Sequence, residues 1–318
     1  MSTFPHLVDD LEQALDAPAG PGLSRRSVPR ELLVPARVPE LLRMALEEWA
    51  AMVLLWLAMA WTPRWLYPLW ALLVATRLHA LGVVLHEVSH LPLRRHGPGV
   101  RTLEVLAGYP IAITVAAMRY HHIRHHRDSG MATDPYFKGS VSGRPVKYAL
   151  NVLRGALLIP FWSVRPAVGL ASSFLRGWRT FYGRVFLQDR SGEDLRESRE
   201  VIACGRAEVW QLAFQLALVP AWVAFPSAML RGYLVPAIAA GLLAAWRLLL
   251  DHPDRPACDR SLETIVATTR DNIQGWLRLL LPRNIGYHVV HHLHPQVTLT
   301  ALPRLRDWYV ANCERYPR

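Results

Sequence analysis

Four long apolar runs dominate the pattern of the chain: Met44–Trp61, Trp65 to about His86, Trp210–Phe225 and Tyr233–Leu250. Each approaches the ~20 residues that cross ~30 Å of hydrocarbon at ~1.5 Å rise per residue. The first two are joined by Trp61-Thr-Pro-Arg-Trp65, the last two by Phe225-Pro226 through Arg231-Gly232. Both links are turns with aromatic residues at headgroup level, so the pattern predicts two helical hairpins. Two further apolar stretches are less regular. Val105–Met118 is short for a crossing, and Tyr148–Leu175 is broken by Pro160, Arg165 and Pro166, so both read as interfacial or re-entrant. Residues 1–42, rich in Pro, Gly and charge, read as a mobile arm with one amphipathic turn around Glu31–Arg43. The acidic opening does not resemble a signal peptide. Residues 43–318 then form a single domain.

Charge orients this arrangement. Of 36 Lys and Arg, 32 lie outside the two hairpins, and the hairpin tips carry only Arg64 and Arg231. By the positive-inside tendency, both termini and the segments 87–209 and 252–318 are cytoplasmic. The expectation is an all-α integral membrane protein: four transmembrane helices in two hairpins beneath a cytoplasmic helical cap. It would be multi-pass, in the inner membrane of a prokaryotic cell. A net charge of +11 also suits nucleic-acid binding, but the Arg are spread along loops that border apolar runs. An apolar content of 52% excludes a disordered chain. Cys204, Cys258 and Cys313, with no CxxC, exclude a disulfide scaffold, a zinc ribbon and a Cys-ligated iron–sulfur cluster.

Histidine changes the picture. Ten of the fourteen fall in three windows or just after the fourth apolar run. The windows are His86-Glu-Val-Ser-His90, His121-His122-Ile-Arg-His125-His126 and His288-Val-Val-His291-His292. Residues at i, i+3 and i+4 share a helix face, so His86/His90, His122/His125/His126 and His288/His291/His292 each present a row of imidazoles. Neutral imidazole ligates iron, copper and zinc. An even number of predicted crossings separates the windows, so all eight emerge on one side of the membrane. Eight nitrogens exceed what one ion takes, which implies two ions. Iron is favoured, because imidazole sites with open positions suit O₂ chemistry and zinc has no redox role.

The order HxxxH, HxxHH, HxxHH between paired hairpins resembles the membrane fatty acid desaturase superfamily: acyl desaturases, lipid and terpene hydroxylases, and carotenoid ketolases. His125-His126-Arg127 followed by Asp134-Pro135 is similar to its HHR…DP segment. Thr269-Arg270, then Asn284-Ile-Gly-Tyr287-His288 through His294-Pro295, is similar to its TR…NxGYHxxHHLxP signature, and Leu302-Pro303 matches the LP that follows. The likeness covers roughly residues 45–310. It implies two non-haem iron ions, O₂ as co-substrate, two electrons per turnover, and attack on unactivated C–H bonds of a lipid-like substrate, a fatty acyl chain first. A carotenoid or terpenoid ketolase or hydroxylase is the alternative within the superfamily. It also implies a ninth ligand, His252 in Asp251-His252, at the end of the last membrane helix.

Several residues have two readings. His121 lies about 100° from His122 on a helix and is a metal ligand or else an outer-sphere or surface residue. His79 is a functional group or an interhelical hydrogen bond. Asn284 is a weak or water-mediated metal contact, or the N-cap of the helix carrying the last box. Asp134 and Asp251 orient imidazoles through the distal ring nitrogen, or pair with nearby Arg. Arg247 snorkels to the cytoplasmic face, and Arg77 pairs within the bundle. His6, His96 and His294 read as solvated. His86-Glu87-x-x-His90 also satisfies HExxH, so a membrane zinc metalloprotease with Glu87 as base is a rival, though it leaves two HxxHH boxes unexplained. The chain shows no dinucleotide fingerprint and no haem-domain motif, so electrons are expected from a separate carrier such as an acidic ferredoxin with its reductase, attracted by the basic face.

Overall fold

A computed structural model describes residues 25–92, 96–137, 139, 141, 143–253 and 255–317. Most of the expected N-terminal arm, with His6, lies outside the described residues. Among these residues the structure is helical, and β pairing is limited to one antiparallel bridge between Pro35 and Val297. The principal helices are α1 (Val38–Trp61), α2 (Tyr67–His90), α3 (Val115–Asp128), α4 (Pro145–Arg154), α5 (Arg165–Phe174), α6 (Arg199–Ala224), α7 (Val235–Asp251), α8 (His288–Leu293) and α9 (Leu302–Asn312). Thr114 and Ser198 start α3 and α6, each side-chain oxygen accepting the backbone N–H three residues on.

Among the described residues, three segments can cross a membrane by length and composition: Arg64–His90, Arg199–Ala224 and Pro226–Asp251. The expected first crossing is not among them. It forms as the continuous 24-residue α1, but its first half carries Glu40, Arg43, Glu47 and Glu48. Only Trp49–Trp61 is free of charge, about 20 Å of rise, short of the ~30 Å hydrocarbon core. The two irregular apolar stretches are bent helix pairs. Pro98–Ile111 and Val115–Asp128 meet at 81°, Pro145–Trp162 and Arg165–Phe174 at 58°, and each pair is either a broken span or a re-entrant loop. The first bend falls at Ala112, whose φ of 57° lies in the left-handed region that stops a helix.

Of the two expected hairpins, α1 and α2 pack together, whereas α6 and α7 pack chiefly on other helices. α6 packs on α5, while α7 packs on α2. Small residues account for this partnering. Gly169 and Gly205 bring α5 and α6 so close that a Cβ on Gly205 would strike the Gly169 carbonyl; Gly155 and Gly241 do the same between the segment after α4 and α7. The α5–α6 contact also buries an ion pair, Arg165 Nε to Glu208 Oε1 at 2.6 Å, with the Tyr182 hydroxyl donating to Glu208 at 2.9 Å.

Helix α2 is the centre of the molecule. From Leu78 to His90 every residue except Gly82 is buried, as expected for a helix surrounded by α1, α3 and α7. Trp61, Leu54 and Leu57 on α1, and Trp210, Leu216 and Val223 on α6, are apolar and exposed, surfaces that hydrocarbon would cover. A polar junction ties the loop before α8 to α1 and α2. Arg283 Nε donates to Glu48 (2.6 Å) and its Nη1 to Glu47 (2.7 Å), while Arg77 pairs with Glu48 at 3.1 Å. Glu48 is 1% exposed, so the charges that shorten α1 as a span hold the loop before α8.

Candidate metal centre

Four chain segments bring their imidazoles to one place. His86 and His90 close the last turn of α2, His122, His125 and His126 lie on α3, His252 follows α7, and His288, His291 and His292 make up half of α8. The nine form two groups: His86, His90, His122, His126 and His291; and His125, His252, His288 and His292. Within each group, one nitrogen per ring lies within 4.8 Å of all the others. The groups are neighbours, with the His126 and His292 rings stacked at 4.1 Å.

Helical geometry explains the division. Residues i and i+4 are about 40° apart around a helix, whereas neighbours in sequence are about 100° apart. On α3, His122 and His126 therefore turn to the first group and His125 to the second. On α8, His288 and His292 turn to the second group and His291 to the first. Each HxxHH box serves both groups, in opposite proportion.

The donor set fits metal ions. His90 Nε2 to His122 Nε2, His122 Nε2 to His126 Nε2, and His252 Nε2 to His288 Nε2 are each 2.9 Å. Two nitrogens at right angles around an ion, each about 2.1 Å from it, are separated by about 3.0 Å. Several ring nitrogens of these residues are buried and without a hydrogen-bond partner: His86 Nε2, His125 Nε2, and both ring nitrogens of His291 and His292. Unmet polar atoms at this density are rare unless a ligand meets them. Burial, reinforced by neighbouring positive groups, pushes His252 and His291 down to about 3 and His288 and His292 well below the ordinary imidazole range. They are neutral near pH 7, the form that binds metal.

Outer contacts fix several rings. His125 Nδ1 donates to Asp134 Oδ1 at 2.8 Å, which leaves Nε2 for the cluster. Asp134 also accepts from the Gly130 (2.9 Å) and Tyr136 (2.8 Å) amides. Burial would raise the Asp134 carboxyl, but His125 and these hydrogen bonds hold it below its usual range. His252 Nδ1 donates to the Thr268 carbonyl at 3.1 Å. Asp251 lies 3.8 Å from His288 Nδ1, accepts from Asn272 at 2.9 Å and pairs with Arg247 at 3.3 Å. Asp251 thus pairs with Arg247, and its 3.8 Å separation from His288 Nδ1 is too long for a hydrogen bond.

Other positions differ from expectation. Asn284 neither caps α8 nor reaches a cluster: it adopts a left-handed φ of 59° and donates to the Leu299 carbonyl at 3.1 Å. The first turn of α8 is capped instead by Asp271, whose Oδ1 accepts the Val289 amide at 2.9 Å. His121 belongs to neither group and shares a 2.7 Å hydrogen bond with the Tyr136 hydroxyl. His294 is not solvated; it is buried and bonded to the Tyr309 hydroxyl at 2.8 Å. His96 is partly buried, against the Leu91 carbonyl.

Sequence reasoning gave Glu87 a role only in the rival protease reading. As the base of HExxH it would face substrate and water, but it is 1% exposed. Its Oε1 accepts from His86 Nδ1 at 3.2 Å and lies 3.8 Å from His291 Nδ1, joining two rings of the first group from behind. Its position next to His86 in sequence was the available signal. Asp271, Asn272 and Thr268 lie outside the boxes and gave none.

An apolar cavity of about 350 Å³ opens beside the first group. His86 and Tyr136 lie at its metal-facing side, with walls from α2, α7 and the Gly155–Trp162 segment. The fatty acid desaturase family model matches residues 63–318 of the chain. No curated protein matches it.

Proposed function

For a chain that belongs to the fatty acid desaturase family, and hence to a family of membrane oxidoreductases, we propose a non-haem diiron enzyme that desaturates or hydroxylates an unactivated C–H bond of a lipid-like substrate, a fatty acyl chain first. His86, His90, His122, His126 and His291 hold one iron; His125, His252, His288 and His292 hold the other. The irons, when bound, supply O₂ activation with two electrons from a separate carrier such as a ferredoxin. The observation that carries this reading is the pair of buried all-imidazole groups with unpartnered nitrogens. Neutral ligands leave both ions electron-poor, which suits a strong oxidant.

The protein's own residues do the rest. Glu87 and Asp134 hold ring orientation, and the Thr268 carbonyl fixes the His252 tautomer. The cavity shields the reacting carbon from water and opens between helices that can border a bilayer, so an apolar substrate enters from lipid. The Arg-rich segments 87–209 and 252–318 lie on the cytoplasmic side, where they attract an acidic electron carrier.

A zinc protease built on His86-Glu87-x-x-His90 fits poorly, since catalytic zinc takes three protein ligands and this group has five. Metal analysis of detergent-purified protein tests the assignment: about two irons per chain support it, and one zinc or no metal refutes it. Mass spectrometry of lipids from an expressing host then distinguishes loss of two hydrogens from gain of one oxygen.

A further inference from the structure

His79 belongs to neither imidazole group, yet it lines the same cavity as His86. It lies seven residues earlier on α2, about 10 Å along the axis and on nearly the same face. The other α2 residues on this wall short of His86 are Leu78, Gly82 and Val83, and α7 contributes Ala240, Gly241 and Ala244, with Arg247 nearer its C-terminal end. On α2 the imidazole is therefore the one polar side chain of this wall short of His86, while Tyr136, His121, Gln188 and Arg247 line the cavity elsewhere.

Its hydrogen bonding is half complete. Nδ1 donates to the carbonyl of Leu280, a residue outside the cavity lining, at 3.2 Å. The ring lines the cavity, and its edge opposite that contact carries Nε2. Nε2 on that edge is buried and has no partner. With the proton on Nδ1 and no ion pair recorded for the ring among the described residues, Nε2 is a lone-pair acceptor. A sealed acceptor in an apolar wall is costly until a donor meets it. A leucine would build the wall at lower cost, so the imidazole needs a reason beyond packing.

We propose that His79 Nε2 accepts a hydrogen bond from a hydroxyl group of the substrate. The preferred substrate is then a hydroxyl-bearing lipid, with its O–H about 10 Å from the carbon presented at His86. His79 acts as a specificity determinant and sets which carbon is oxidised. The inference rests on reading the cavity as the substrate channel of the diiron enzyme.

The test uses the full chain, purified in detergent and loaded with iron. It is incubated with hexadecanoic acid and a series of hexadecanoic acids carrying one hydroxyl at successive positions. Bound lipid is extracted and quantified by mass spectrometry. The wild type should enrich one hydroxyl position about tenfold over the unsubstituted acid, the worth of one buried hydrogen bond. His79→Leu should abolish that enrichment, and His79→Gln, which restores an acceptor oxygen, should recover part of it. No positional preference in the wild type, or the same preference in His79→Leu, overturns the proposal. Iron measured in the same samples separates the two readings. A wild type without iron sinks the diiron assignment, whereas iron-loaded protein without hydroxyl selectivity sinks only the role of His79.

Discussion

Replacing Asp134 with Asn should empty the His125 group while the His86 group stays filled. Asp134 is buried, and its two oxygens accept three hydrogen bonds: from His125 Nδ1 and the Tyr136 amide on Oδ1, and from the Gly130 amide on Oδ2. In the variant the amide oxygen still serves His125 and Tyr136, but its NH₂ now faces the Gly130 N–H. One buried donor loses its acceptor, at about 1–3 kcal/mol of folding stability. Asp134→Ala leaves all three donors unmet, about 3–9 kcal/mol by the same reasoning, and should not fold. For the metal, loss of an outer carboxylate that orients a ligand imidazole weakens affinity about 10–100-fold, or about 1.4–2.7 kcal/mol. Only His125 among the nine touches Asp134, so the effect should be confined to its group. Iron content measured across buffered free-iron concentrations should show two binding steps in the wild type. In Asp134→Asn one step should move by one to two decades and the other stay in place. Two unshifted steps would refute the coupling, and an equal shift of both in folded protein would refute the division into two groups.

Glu87→Gln should produce the mirror image, weakening the step that belongs to the His86 group, because its carboxylate faces His86 and His291; a shift of the other step instead would contradict that placement. Metal-free protein should lose stability as pH falls from about 6.5 toward about 3. His252 and His291 stay neutral in the fold down to about 3 but protonate near 6.5 when unfolded, so the unfolded state binds more protons across that window. Melting temperature followed against pH in detergent checks this, and a flat profile refutes it. Glu208→Leu strands the buried Arg165 guanidinium and should cost about 3–5 kcal/mol, while the double change Arg165→Met/Glu208→Leu should recover most of it, read from denaturation midpoints. A double variant as unstable as the single one would show that the loss arises from packing instead.

Eight of the nine histidines were legible in the sequence because ligand spacing is a local property; His252, a lone residue after α7, came only from the family likeness. Imidazoles at i, i+3 and i+4 share one side of a helix whatever the helix packs against, and runs of apolar residues announce long buried helices in the same way. The division of labour was not legible. Which ring of an HxxHH box turns to which group depends on how α3 and α8 are rotated about their axes, and that is set by α2 and by contacts such as Arg283 with Glu47 and Glu48, more than 230 residues apart. The pairing of α6 with α5 rather than α7 rests on glycine-to-backbone approaches that leave only isolated Gly in the sequence. Asn284 had the spacing of a cap, yet its left-handed turn gave that role to Asp271. Glu87 had the sequence context of a base, yet burial against two rings made it a support. A residue's chemical type and helical phase are encoded within a few neighbours. Its partners and its access to solvent are set by segments far away in the chain, and only the packed structure brings them into contact.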